Sequence, residues 1–190
     1  ISKFPGNVGA TIHNTAYQFL NLNYVYLPIK VSNSLKALDA IRSLNIKGCS
    51  VSMPFKEEVI SHLDEIEKDA RDIGAVNTIL NNNGILKGYN TDLYAVEWAI
   101  NKININAYKP NLLILGFGGM GKACLKAVQN VLDINPIIAV RDLKKYKKNK
   151  HLEFINWTNK EIKSPDILIN ATPIGMNDKN EIPINLDLFP

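Results

Sequence analysis

Cysteine is nearly absent: the 190 residues contain two, Cys49 and Cys124. Each stands in an apolar run, far from the other, so free buried thiols in a reducing compartment are expected and a disulfide framework is not. Histidine is as scarce, with three residues. His13 has no second ligand at useful spacing, so it reads as a polar group at a helix start and no metal site is expected. No apolar run approaches the roughly 20 residues that span a bilayer, so no membrane partner is expected. No secretory signal pattern is visible, which points to the cytoplasm. Nor is there a large excess of one charge. A net +4 permits anionic ligands without calling for nucleic acid. The chain opens at Ile1 without a methionine and stops at Phe189-Pro190, so missing pieces at both ends are expected.

What is present is ordinary apolar material in an ordered pattern. Hydrophobic residues make up 46% and charged ones 21%, enough for a real core. The length of 190 residues is long for one domain and short for two full ones. Ile1 to Pro5 reads as the tail of a strand, and Gly6 to Gly9 as a loop. A helix is expected from Thr11, its N-cap, to about Leu22. Tyr24 to Lys30 alternates like a strand. Ser32 or Asn33 caps a helix with Leu35, Leu38, Ile41 and Leu44 on its apolar stripe, and a strand follows over Lys47 to Val51. This alternation predicts an α/β layer with mainly parallel pairing.

The chemistry gathers around Ser50 to Glu57. Pro54 ends the strand because it has no amide hydrogen, and one helix or two are expected beyond it, suggested by Val59, Ile60, Leu63 and Ile66 and ending near Arg71. A lysine at such a corner, Lys56, is held by rigid elements while its amine faces outward, as a general acid or base requires. Gly74 to Leu80 is a strand with one polar outlier, Asn77. Asn82-Asn83-Gly84 is a hairpin turn, and Ile85 to Tyr89 is its second arm. Asn90, Thr91 or Asp92 caps the next helix, Leu93 to Ile100. Lys56, Asn77 and Asp92 thus stand at strand ends, where open α/β sheets bind ligands. A carboxylate beside a lysine orients the ammonium, and burial lowers a lysine's pKa toward neutrality.

Asn101 to Pro110 reads as a linker. Asn111 to Leu115 is a buried strand that runs into Gly116-Phe117-Gly118-Gly119-Met120-Gly121, with a helix from Lys122 to about Val131. This is the dinucleotide fingerprint in its required context. The first glycine makes the turn, the second admits the pyrophosphate at the helix N-terminus, and the third lets helix and strand pack. Pro136 to Val140 is the next strand. Its end carries both Arg141, suited to a 2′-phosphate, and Asp142, suited to a ribose hydroxyl. The lysines that follow (144, 145, 147, 148 and 150) favour NADP, with NAD as the alternative. Glu153 to Trp157 and Asp166 to Asn170 are further strands, and the second ends in Ala171-Thr172-Pro173-Ile174-Gly175-Met176.

Together these segments resemble the shikimate dehydrogenase family, including its shikimate/quinate relatives. The resemblance rests on Ser50 to Lys56, Gly74 to Thr78, Gly88 to Asp92, Gly116 to Gly121 and Asn170 to Met176, in family order across nearly the whole chain. It implies an NADP-linked interconversion of 3-dehydroshikimate and shikimate on the way to chorismate and the aromatic amino acids. It implies two α/β domains: substrate-binding and catalytic over 1–92, and Rossmann-type over 93–190. Lys56 would be the catalytic acid/base, and Asp92 its partner and a ligand for substrate hydroxyls. Asn7, Ser52 and Asn77 would bind substrate. Gly116, Gly118, Gly119, Met120 and Gly121 would hold the pyrophosphate, Arg141 and Lys145 the adenosine phosphate, and Thr172, Pro173, Gly175 and Met176 would face the nicotinamide. The implied partner is a small cyclic hydroxy acid, and the protein would be a monomer or homodimer. The family's Ser-x-Ser-Pro-x-x-His-Asn loop is altered. Counting back from His13-Asn14, its serines are replaced by Asn7 and Gly9 and its proline by Ala10. That change leaves a weakly active or non-catalytic NADP-binding relative, or a dehydrogenase of quinate or another hydroxy acid, as the alternative.

Overall fold

The computed structural model describes residues 1–103, 109–147, 149–176, 178 and 181–185. The chain divides into two compact units, Ile1–Asn90 and Thr91–Pro190. Among the described residues, no helix is long and apolar enough to cross a membrane.

The first unit contains α1 (Val8–Phe19), α2 (Ser34–Ser43), β1 (Gly48–Ser50), β2 (Glu65–Ile66), α3 (Lys68–Ile73), β3 (Thr78–Asn82) and β4 (Ile85–Tyr89). Its strands lie in the order β1-β3-β4-β2. Pairing here is mixed: β2 runs parallel to β4, whereas β1–β3 and β3–β4 are antiparallel. The antiparallel part follows from the tight turn at Asn83 and Gly84, both of which adopt positive φ (51° and 94°). The expected strands at Ile1–Pro5 and Tyr24–Lys30 shrink to a parallel bridge between Ser2 and Lys30. Ser2 nevertheless stays tied, since its amide donates to the Ile29 carbonyl and its carbonyl accepts from Val31.

Other boundaries move for local reasons. Helix α1 begins at Val8, so Thr11 lies inside it rather than capping it, and its hydroxyl donates back to the Asn7 carbonyl at 3.2 Å. Asn33 caps α2 as expected, accepting from the Lys36 amide at 3.0 Å. Beyond Lys56 the helical stretch forms as two pieces, a 3₁₀ turn at Glu58–His62 and α3, with the short β2 between them. Leu38, Ile41, Val51, Phe55, Val59, Ala70, Val76, Ile79 and Leu86 form the core. Gly88 belongs there for space: an added Cβ would lie 2.5 Å from Leu63 Cδ1 and 2.8 Å from Val76 Cγ2. Asn90 is no helix cap. It is buried, and its amide donates to the Ala75 carbonyl at 2.9 Å.

The second unit contains α4 (Asp92–Lys102), β5 (Leu112–Leu115), α5 (Gly119–Leu132), β6 (Ile137–Val140), β7 (Glu153–Asn156) and β8 (Ile167–Asn170). The sheet order is β7-β6-β5-β8, and every pair is parallel. All of β5 is buried, as befits a strand covered on both faces. Leu113, Leu115 and Ala139 pack with Ile184 on one side. Helix α5 packs on β5 and α4, with Ala123, Cys124, Ala127 and Val128 buried. Most of the expected linker, residues 104–108, lies outside the described residues. Neither cysteine is in a disulfide; Cys124 is buried, and burial pushes the Cys49 thiol up.

One ion pair braces the hairpin. The Leu86 amide (2.7 Å) and Arg42 (2.9 Å) both donate to Asp64 Oδ2, and Arg42 Nε also donates to the Gly84 carbonyl. The amide, and then Arg42, hold the Asp64 carboxyl below its usual range. A lowered folded pKa stabilises the fold above the unfolded value, about 3.9, and this contribution is lost as pH falls through the folded pKa. Urea unfolding between about pH 5 and pH 2 should therefore show a shallower acid loss in Asp64→Asn than in wild type. Equal slopes would contradict this role.

Candidate functional site

In the first unit, three of the expected residues meet through the backbone. The carbonyl of Lys56 accepts from the Val76 amide at 2.7 Å, and the carbonyl of Asn77 accepts from Val51 at 2.7 Å. The Asn77 amide donates to Tyr89 at 3.0 Å, and the Phe55 amide donates to the Ser52 carbonyl at 3.0 Å. Ser52, Lys56 and Asn77 therefore share one corner, where the chain leaves β1 and enters β3. Phe55 is buried and Lys56 half-buried, so the corner is anchored by its neighbour while the lysine side chain reaches the surface layer. The Asn77 side chain is itself oriented, since its Oδ1 accepts from Thr78 Oγ1 at 2.9 Å.

Asn7 stands apart from that corner, immediately before α1, and its side chain makes no capping bond. Deeper in α1, Asn14 clamps the backbone of Tyr26 at both polar atoms: its Nδ2 donates to the Tyr26 carbonyl (3.0 Å), and its Oδ1 accepts from the Tyr26 amide (2.7 Å). His13 stacks on the Tyr26 ring with centroids 4.7 Å apart. His13 is thus an orienting ring, and Tyr26, close against Gly9, is a residue that the sequence did not single out.

In the second unit, Asp92 is the first residue of α4, preceded by Thr91, whose side chain makes no cap bond. The strand order reverses between β5 and β8, and the carboxyl end of that pair is the crevice where open parallel sheets bind dinucleotides. Two predicted segments meet there. Gly116 leaves β5 with φ 90°, and an added Cβ would lie 2.9 Å from Thr172 Cγ2 and 3.3 Å from the Ala171 carbonyl. Gly121 is tighter, for its Cβ would lie 2.3 Å from the Gly116 carbonyl oxygen. A Cβ at Gly118 would instead meet nothing within 4 Å. The loop is open on that side, the room a phosphate needs. Helix α5 starts at Gly119, with Met120 next, and its first turn carries no acidic residue to oppose an anion.

The turn after β8 is built by Asn170, another residue not singled out. Its Oδ1 accepts from the Thr172 amide (3.0 Å) and hydroxyl (2.6 Å), and its Nδ2 donates to the Ile174 carbonyl (3.1 Å). The Met176 amide closes onto the Pro173 carbonyl at 3.1 Å, and Gly175 adopts φ 87°. Arg141 directly follows β6. Asp142 caps the turn that follows, its Oδ1 accepting from the Lys144 amide at 3.1 Å, and Arg141 beside it is suited to a phosphate. Lys145 lies in a 3₁₀ turn, Leu143–Tyr146, and lines an open cavity of about 590 Å³ with Tyr146, Asn149, Lys150 and His151. These residues fit a phosphorylated dinucleotide. Among the described residues, no cluster of side chains suited to a metal ion is found.

Comparison with known proteins gives concordant results. The sequence model of the shikimate dehydrogenase substrate binding domain matches residues 8–79. A shikimate dehydrogenase-like protein of Haemophilus influenzae is 38% identical over 182 residues, covering 95% of this chain and 67% of that protein. The shikimate dehydrogenase (NADP(+)) of Methanosphaera stadtmanae is 38% identical over 193 residues, covering 93% of this chain and 68% of that protein. The crystal structure of shikimate dehydrogenase 1 from Peptoclostridium difficile superposes with a TM-score of 0.86 at 29% identity, covering 98% of this chain and 70% of that one.

The contact between Gly121 and the Gly116 carbonyl gives a direct test. Gly121→Ala forces the start of α5 away from the turn, and overpacking of this kind costs about 1–3 kcal/mol. Affinity for NADP, followed by fluorescence titration, should fall about tenfold or more. Unchanged affinity would show that the close approach does not shape the loop.

Proposed function

The chain belongs to the shikimate dehydrogenase family, and we propose that it is an NADP-dependent oxidoreductase interconverting 3-dehydroshikimate and shikimate. That places it in chorismate and aromatic amino-acid biosynthesis. The observation that carries the reading is the corner at Lys56, where a lysine is fixed through its own carbonyl beside Ser52 and Asn77. Residues 1–92 serve as the substrate-binding catalytic domain and 93–190 as the NADP-binding domain. The protein acts in the cytoplasm as a monomer or homodimer, with a small cyclic hydroxy acid as its partner.

When bound, the cofactor would supply the redox chemistry, as NADPH for reduction and NADP+ for oxidation. The Lys56 amine gives a proton to the substrate oxygen in reduction and takes it back in oxidation. Asn77 and Ser52 receive substrate hydroxyls, Asp92 is proposed as a further hydroxyl ligand, and Asn7 faces the carboxylate end. Gly116, Gly118, Gly119, Met120 and Gly121 hold the pyrophosphate at the start of α5. Arg141 and Lys145 would pair with the 2′-phosphate, and Thr172, Pro173, Gly175 and Met176 would face the nicotinamide. The NADP(+) in the name of the Methanosphaera relative supports the cofactor assignment. A second reading, a dehydrogenase of quinate or another hydroxy acid, is favoured by Asn7 and Gly9.

Initial rates with shikimate and with quinate, each with NADP and NAD, separate the two readings. Fastest turnover is expected with shikimate and NADP. Lys56→Ala should lower turnover about a hundredfold with little change in melting temperature. A variant that keeps near-wild-type turnover would remove Lys56 from the chemistry.

A further inference from the structure

Gly9 lies close against the Tyr26 phenol. A Cβ added there would lie 3.2 Å from the hydroxyl oxygen of Tyr26 and 3.4 Å from its ring atoms Cε1 and Cζ. The place where a Gly9 side chain would begin is therefore taken by a phenol from another segment. We propose that the Tyr26 hydroxyl donates to the substrate carboxylate the hydrogen bond that Gly9 has no side chain to give, making Tyr26 a specificity-determining residue. This rests on the reading above, in which the start of α1 at Asn7 to Gly9 receives the carboxylate of a cyclic hydroxy acid, and it names a further ligand at that place.

The phenol is built into its position. Asn14 clamps the Tyr26 backbone at amide and carbonyl, and His13 stacks on the ring at 4.7 Å with an interplanar angle of 11°. Tyr26 is partly buried, so few orientations are open to it. Among the described residues its hydroxyl has no hydrogen-bond partner. The first turn of α1 carries no acidic residue that would compete for the donor or repel an anion. A phenol is both donor and acceptor, and a donor to a carboxylate makes one of the stronger hydrogen bonds available to a neutral side chain.

The test is Tyr26→Phe in the full chain, which removes the oxygen and keeps the ring that stacks on His13. The Michaelis constant for shikimate should rise about tenfold, with kcat within about twofold and the constant for NADP unchanged. With shikimate methyl ester, which lacks the carboxylate charge, wild type and Tyr26→Phe should differ far less. Adding Gly9→Ser to Tyr26→Phe should recover part of the lost affinity for shikimate. An unchanged constant for shikimate would overturn the proposal, and so would equal losses with acid and ester, which indicate a packing role. Turnover that depends on Lys56 but not on Tyr26 would sink this inference alone. No shikimate turnover in wild type would sink the functional reading as well.

Discussion

The hydrogen bond from the Val76 amide to the Lys56 carbonyl, 2.7 Å long, is the constraint on which the first unit turns. β1 ends at Ser50, ahead of Pro54, so the segment after it needs another hold on the sheet. It gains two: the buried ring of Phe55, and the Lys56 carbonyl, met by the backbone just before β3. The next residue, Asn77, is held on both sides, by Val51 and by Tyr89. A flexible side chain thereby rises from a backbone with little freedom. That is the preorganisation an acid or base needs, because a misplaced proton donor loses most of its effect.

The second unit meets a different demand by a different means. A dinucleotide is read largely by backbone amides, so the backbone must come close and side chains must stay out of the way. The reversal of strand order between β5 and β8 opens the space, and the glycines set its walls. Gly116 abuts the Thr172 turn and Gly121 abuts Gly116, while Gly118 is open. Asn170 then does with a side-chain amide what a longer loop would do with ordered backbone: it ties three groups of the following turn to one residue.

Most of the second unit was legible, because a buried parallel strand followed by glycines and a helix is a local pattern, and β5, α5 and β6 appear within a few residues of expectation. The first unit was harder to read. Val59, Ile60, Leu63 and Ile66 have helical spacing, but the chain places Val59 and Ile60 in a 3₁₀ turn, Leu63 just beyond it packed close to Gly88, and Ile66 in the short β2. Thr11 reads as a cap when Gly6 to Gly9 are taken as a loop, but Asn7, an equally favoured cap residue type, stands where α1 begins. Tyr26 was invisible as a site residue, since its meaning comes from Gly9 and Asn14 on another segment. Spacing reports neighbours along one element. It does not report what two elements place side by side.

The hairpin of β3 and β4 carries a constraint on how this chain can change over time. Its pairing runs without a bulge from Asn82 with Ile85 to Thr78 with Tyr89, so the turn at one end sets the alignment at the other. Asn77 stands just before that far end and Asn90 just after it. A single residue inserted in one arm would slide the arms past each other and turn a whole face outward. Lengthening is neutral only when both arms grow together, so insertions here should survive in matched pairs. The hairpin acts as a ruler, and a lineage can alter its tip freely only while it preserves the count.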